Sequence, residues 1–135
     1  MTPRDRRDGL RPLSVALREL HRALVEISRT GYELANGPVS GSSELLQLVL
    51  HDEAFGWLKP LSSLIVEIDE RSAEDPAPSP REIEEVLTRV ETLIFSRDPG
   101  AFGVRYMALL GSEPGIAMTH FALRSALHDL QLARA

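Results

Sequence analysis

His120 occupies a place where the last apolar seam of the chain would ordinarily carry a leucine. Ile116, His120, Leu123, Leu127 and Leu130 fall on one face of a helix. An imidazole there needs a hydrogen-bond partner, and that partner decides whether the ring is charged near neutral pH. The functional reading is a ligand-binding, proton-transfer or metal residue that lines an interior cavity. The structural reading is a core histidine bonded to a tyrosine, a serine or a backbone carbonyl, and the sequence favours it. His21 borders the seam of the first helix, at about 80° from its centre for a step of ~100° per residue. From there it can meet His120 across a bundle, with Tyr32, Tyr106 or Glu26 nearby, although the plain account of a border histidine is a partly exposed side chain. Trp57, beside Phe55, Leu58 and Pro60, fits either the floor of a pocket or the bundle centre. His21, Tyr32, Trp57, Tyr106 and His120 are therefore the candidate ligand-binding set. His51 and His128 fall off their apolar stripes and are expected at the surface.

Other chemistries lack their residues. Bundle metal sites use Glu-x-x-His pairs, or a histidine and a carboxylate one turn apart, and neither spacing occurs, so no metal is expected. The loop Gly37-Pro38-Val39-Ser40-Gly41-Ser42-Ser43 precedes a helix but has neither the lysine nor the glycine spacing of a phosphate-binding loop. There is no Gly-x-Ser-x-Gly elbow and no cysteine, which excludes disulfides, thiolate sites and a thiol nucleophile. No catalytic residue and no cofactor is assigned, and a non-enzymatic role is favoured.

The elements that must position these residues read as helices throughout. Leu13, Leu17, Leu20, Leu24, Ile27, Gly31 and Leu34 follow one another by three or four residues. That spacing draws an apolar seam along about six turns, which must be laid against other helices. Residues 1–9 are expected as a flexible arm, with the helix starting near Leu10 or Pro12 and stopping at Asn36-Gly37-Pro38. Gly31 on the seam is expected to let a neighbouring helix approach closely. A second helical stretch runs from Ser43 to His51, and Asp52 can cap a continuation. Pro60 demands a bend or restart between 51 and 60. Ser72 to Pro80 reads as a linker, and Ser79-Pro80-Arg81-Glu82 has the form of a capping box. The helix it opens is expected to end at Asp98-Pro99-Gly100. A short helix over 101–110 and a long one from Ser112-Glu113-Pro114 to about Ala133 complete the chain. The fold expected is all-α: an up-and-down helical bundle of about five helices, broken near 52–60, forming one domain over 10–135.

Among the 135 residues, 43% are hydrophobic but only 5% aromatic, so the core rests on aliphatic side chains suited to helices. The net charge of −5 argues against a nucleic-acid binder, and Asp5 and Asp8 offset the arginines of the arm, Arg4, Arg6, Arg7 and Arg11. Residues 1–31 carry seven arginines against four acids, whereas 52–91 carry eleven acids against four basic residues. Such polarity suits solvated faces, and it also suits self-association. No stretch has the apolar length of a signal core or a membrane span, so a cytoplasmic location without membrane contact is expected.

The segment Phe55-Gly-Trp-Leu-Lys-Pro-Leu-Ser-Ser-Leu-Ile-Val-Glu-Ile-Asp69 resembles one in a family of small, uncharacterised bacterial proteins. Those proteins carry Trp-Leu-Arg/Lys-Pro-Leu-Ser near mid-chain, a first helix rich in Leu and His, and a last helix with a histidine. The resemblance implies a helical fold and a bacterial source, and it transfers no activity and no site residue. Two functions follow from the residues themselves. The favoured one is a helical interaction or regulatory module, homodimeric and open to a protein partner. The alternative is a small-molecule binder with an interior polar pocket around His120 and His21.

Overall fold

Local chemistry sets most of the helix boundaries. The structure is a computed structural model that describes residues 3–74, 76–96 and 100–134, and the side chains of 5–74, 76–96 and 100–132. Among the described residues seven helices follow one another: α1 (Pro3–Asn36), α2 (Ser42–His51), α3 (Glu53–Gly56), α4 (Lys59–Ala73), α5 (Pro80–Ile94), α6 (Ala101–Ser112) and α7 (Pro114–Arg134). There is no strand among the described residues. Gly37 ends α1 with φ at 88°, a left-handed turn that costs glycine nothing. The Asp52 carboxylate accepts from the Ala54 N–H and caps α3. Ser79 and Glu82 bond each other's backbone N–H groups, which is the capping box expected for α5.

The expected count of about five helices is too low. The break between 51 and 60 yields a separate turn of helix, α3, before Pro60 restarts the chain in the first turn of α4. The stretch from 42 to 73 is thus three helices. Helix α1 begins at Pro3, ahead of the start expected near Leu10 or Pro12. Pro12, expected near a helix start, lies in its interior, where it removes one backbone hydrogen bond. Tertiary contacts offset that loss: Leu10 and Leu13 are fully buried on either side of it. The Arg6 Nε–H donates to the Pro78 carbonyl at 2.6 Å, and Arg7 reaches the Glu74 carbonyl, so the α4–α5 connection holds the first turns. Met1, Thr2, Asp75, the Arg4 side chain and most of the expected stop at Asp98-Pro99-Gly100 lie outside the described residues.

Helix α1 is 34 residues long, about 50 Å at 1.5 Å per residue. It packs against α4 and α7, α4 packs against α5, and α5 against α6 and α7. The long helices therefore close around one core. Cross-helix pairs give the directions. Ser14 bonds Asp69 while His21 meets Ser62, and Arg71 bonds Glu82 while Arg89 bonds Glu67, so α4 is antiparallel to both α1 and α5. The core takes Leu10, Leu13, Leu17, Leu20 and Leu24 from α1, with aliphatic residues of α4, α5 and α7 around them.

The α1 seam does not run its full expected length. It is fully buried to Leu24, and Leu34 is 85% exposed. Gly31 also departs from expectation, since a Cβ built there meets nothing within 4 Å. The close approach is at Gly9 instead, where a Cβ would come within 2.9 Å of Leu130 Cδ1 on α7.

Candidate functional site

The five candidate residues come from three helices and one inter-helix turn, and the structure distributes them over separate places. His21 lies on α1 and Tyr32 one long stretch further along it. Trp57 is in the turn between α3 and α4, and Tyr106 and His120 face each other from α6 and α7.

Trp57, Tyr106 and His120 belong to one row of rings. Trp57 stacks on Phe102 at 5.5 Å, Phe102 on Tyr106 at 5.7 Å, Tyr106 meets His120 at 5.7 Å, and His120 meets Phe95 at 4.9 Å. Arginines close both ends: Arg105 lies 4.6 Å above the Trp57 ring and Arg124 5.4 Å above Phe95. The Trp57 indole N–H donates to Ser28 Oγ at 3.2 Å, which fixes the ring. Aromatic contacts of this kind add specificity to burial, and the row joins the α3–α4 turn, α6, α7 and the C-terminal end of α5.

His120 Nδ1 lies 2.7 Å from the Tyr106 hydroxyl. Burial pushes the Tyr106 phenol up, so it stays protonated. Burial holds the His120 imidazole below its ordinary 6.5, and the neighbouring Arg124 cation lowers it further. Both directions fit one arrangement, in which the phenol O–H donates to a neutral ring. Neither residue is then a strong acid or base near pH 7, and the pair is a half-buried hydrogen bond between the core residue Tyr106 and His120 at its edge.

His21 is elsewhere. Its Nε2 lies 2.9 Å from Ser62 Oγ, which in turn lies 3.3 Å from the Leu58 carbonyl. A serine proton given to that carbonyl leaves Oγ to accept from the Nε2–H tautomer, so Ser62 is not activated as a nucleophile. His21 lines a groove between α1, α2 and α4, and His120 is not among the residues that line it. The two histidines have different partners, Ser62 for His21 and Tyr106 for His120. They report on opposite neighbours of a filled core, α4 for His21 and α6 for His120.

Tyr32 packs on Phe55 at 6.0 Å and, with Trp57, lines a cleft of about 450 Å³. Arg105, Asp52 and Gly31 line it too. The space beside Gly31 is what the missing side chain leaves, in place of the close helix approach expected there. Arg105 and Ser28 were not singled out from the sequence, since an arginine and a serine on helices read as solvated residues. Their only signal is adjacency, Arg105 being next to Tyr106. Among the described residues no group of three His, Asp or Glu side chains is arranged to hold a metal ion, and no helix is long and apolar enough to cross a membrane. No protein-family model, curated protein or solved structure matches the chain.

The two histidines give the fold a pH dependence of known sign. Burial lowers both folded-state values below 6.5. As pH falls through 6.5, the unfolded chain takes up protons before the folded one, so stability declines until the folded rings are protonated too. Glu44, held down by the Ser40 hydroxyl, and Glu82, held down by the Ser79 N–H, act only below 4.5. Thermal unfolding measured from about pH 7.5 down to about pH 5 will show the midpoint dropping, and the double variant His21→Gln/His120→Gln will flatten that slope. An equal slope in the double variant would assign the dependence to other groups.

Proposed function

We propose that this chain is a non-enzymatic interaction module, an up-and-down helical bundle that works as a homodimer through the outer face of α6 and α7. The observation that carries the reading is a set of large apolar side chains left in water there: Val104 is 61% exposed, Met107 52%, Met118 75% and Phe121 73%. Tyr106 and His120 meet seven residues before and after Glu113, so α6 and α7 form a helical hairpin. In such a hairpin, one step along each chain turns both side chains to the same side, which places Met107 beside Phe121. Val104 and Met118 flank them on the same half of the surface.

The inner faces of these helices are already filled, by Phe102 and Tyr106 on α6 and by Ile116, Leu123, Leu127 and Leu130 on α7. Helices that are apolar on both sides ordinarily need cover on both sides. Area gives the second support. The chain exposes 8259 Å², whereas a monomer of its mass exposes about 7,000 Å². The excess, roughly 1,200 Å², is more than the ~800 Å² that each partner contributes to a standard interface. A second copy supplies the matching apolar patch under two-fold symmetry.

Sedimentation or light scattering over a concentration series tests this. The wild type is expected at twice the chain mass. Met118→Glu/Phe121→Glu is expected at the chain mass with an unchanged helical circular dichroism spectrum, because neither side chain supports the core. A wild type that stays monomeric to its highest soluble concentration would sink the proposal.

A further inference from the structure

The cleft between the C-terminal half of α1, the α3 turn and α6 holds charges of both signs that are not joined to each other. Arg105 and Asp52 both line it. Arg105 forms no ion pair among the described residues, and its guanidinium lies over the Trp57 ring. Asp52 forms none either. One of its carboxylate oxygens accepts from the Ala54 N–H at 2.8 Å, and the other has no partner among the described residues.

Ser28 supplies an independent observation. It is only 8% exposed, and it lines the same cleft. Other helical serines, Ser62, Ser72 and Ser112, donate their hydroxyl protons to the carbonyl four residues back. Ser28 does not. Its Oγ accepts from the Trp57 indole N–H at 3.2 Å, and its own proton meets no acceptor among the described residues. A buried donor without an acceptor is costly, and a ligand oxygen in the cleft satisfies it. Ser28 and Arg105 both touch Trp57, so the two donors converge around one indole.

A simple anion leaves Asp52 unmatched, and a simple cation leaves Arg105 and Ser28 unmatched. A molecule that carries both signs answers all three groups. The rest of the wall is apolar, with Ile27, Ala35, Ala54 and Leu109 beside the Tyr32 ring. The space next to Gly31 is open, since a Cβ there meets nothing within 4 Å. A cleft of about 450 Å³ is within the size range of small-molecule sites.

We propose that this cleft binds a free amino acid with an apolar side chain. Its carboxylate takes the Arg105 fork and the Ser28 proton, its ammonium faces the Asp52 carboxylate, and its side chain lies beside Gly31. None of Val104, Met107, Met118 and Phe121 lines the cleft, so the inference does not rest on dimer formation.

The test is a calorimetric titration of the full chain with L-leucine. The indole N–H resonance of Trp57, the single tryptophan, reports where the ligand sits. Saturable binding at one site per chain is expected, with a shift of that resonance. Isocaproate, which lacks the amine, and isoamylamine, which lacks the carboxylate, should each bind at least about tenfold more weakly. Arg105→Gln should weaken leucine about tenfold and leave isoamylamine unchanged. Asp52→Asn, which keeps the helix cap, should weaken leucine to a similar degree and leave isocaproate unchanged. Gly31→Leu should abolish binding while the melting midpoint holds or rises, because it fills the cleft with a better helix former. Met118→Glu/Phe121→Glu should leave binding unchanged. The proposal is overturned by an absence of saturable binding, by either analogue matching leucine, or by a folded Gly31→Leu variant that binds as well as wild type.

Discussion

Replacing Tyr106 by alanine will lower the stability of the fold by about 3–5 kcal/mol, the range for emptying a large aromatic site in a core. Tyr106 has no exposed surface. Its ring is stacked on Phe102 and meets His120, and its hydroxyl is bonded to the His120 ring. Truncation opens a void at the centre of the ring row and strips His120 of its partner at once. Set against a typical stability of about 5–15 kcal/mol, this is a large share of the total. Tyr106→Phe separates the two losses: it keeps the ring and removes one hydrogen bond, with an expected cost of about 1 kcal/mol. Urea unfolding measures both, read as a shift in midpoint at constant m-value. An alanine variant within about 1 kcal/mol of wild type would mean that Tyr106 is not the keystone of α6 and α7 packing.

What the sequence made legible follows from the range of each interaction. Helix starts and stops are local, so Ser79 with Glu82, Asp52, Pro60 and Gly37 announced them correctly. A local signal also failed where a distant one overrode it. Residues 5–9 are charged and contain a glycine, yet they are helical because Arg6 and Arg7 reach the carbonyls of the α4–α5 connection. No pattern within the first nine residues carries that information. The two glycines of α1 make the same point. Spacing favoured Gly31 as the place of close helix approach, but close packing depends on where α7 lies, and it is at Gly9 that the Leu130 side chain of α7 occupies the space a Cβ would take.

The candidate site was legible to the same degree. A histidine on an apolar seam announced a buried hydrogen bond, and a tyrosine was among the partners expected for it. Phe102 and Arg124 lie one helical turn from Tyr106 and His120 on the same helices, but Phe95 and Trp57 come from other elements, and no spacing joins those to the pair. The pairing of His21 with His120 failed for a related reason. Each lies near a seam, but seam membership says that a residue faces the core and not which neighbour it faces.

Leu20→Ala and Leu34→Ala test how far that seam acts as one. The two residues occupy equivalent positions in the same apolar repeat of α1, fourteen residues apart, so periodicity alone assigns them equal weight. Their surroundings do not. Leu20 is fully buried in the core cluster, and Leu34 is 85% exposed on the final turn. Leu20→Ala is expected to cost about 2–5 kcal/mol, through lost transfer energy and the cavity left behind. Leu34→Ala is expected to change stability by less than about 0.5 kcal/mol. The measurement is chemical unfolding at low protein concentration, where self-association contributes least. Repeating it at high concentration adds a second readout. If the Leu34 variant loses stability only there, the α1 terminus is covered by a second copy, and the interface extends beyond Met107, Met118 and Phe121. If it loses as much as Leu20→Ala at both concentrations, the last turns of α1 are packed within one chain, and the cleft beside Gly31 and Tyr32 is closed in solution.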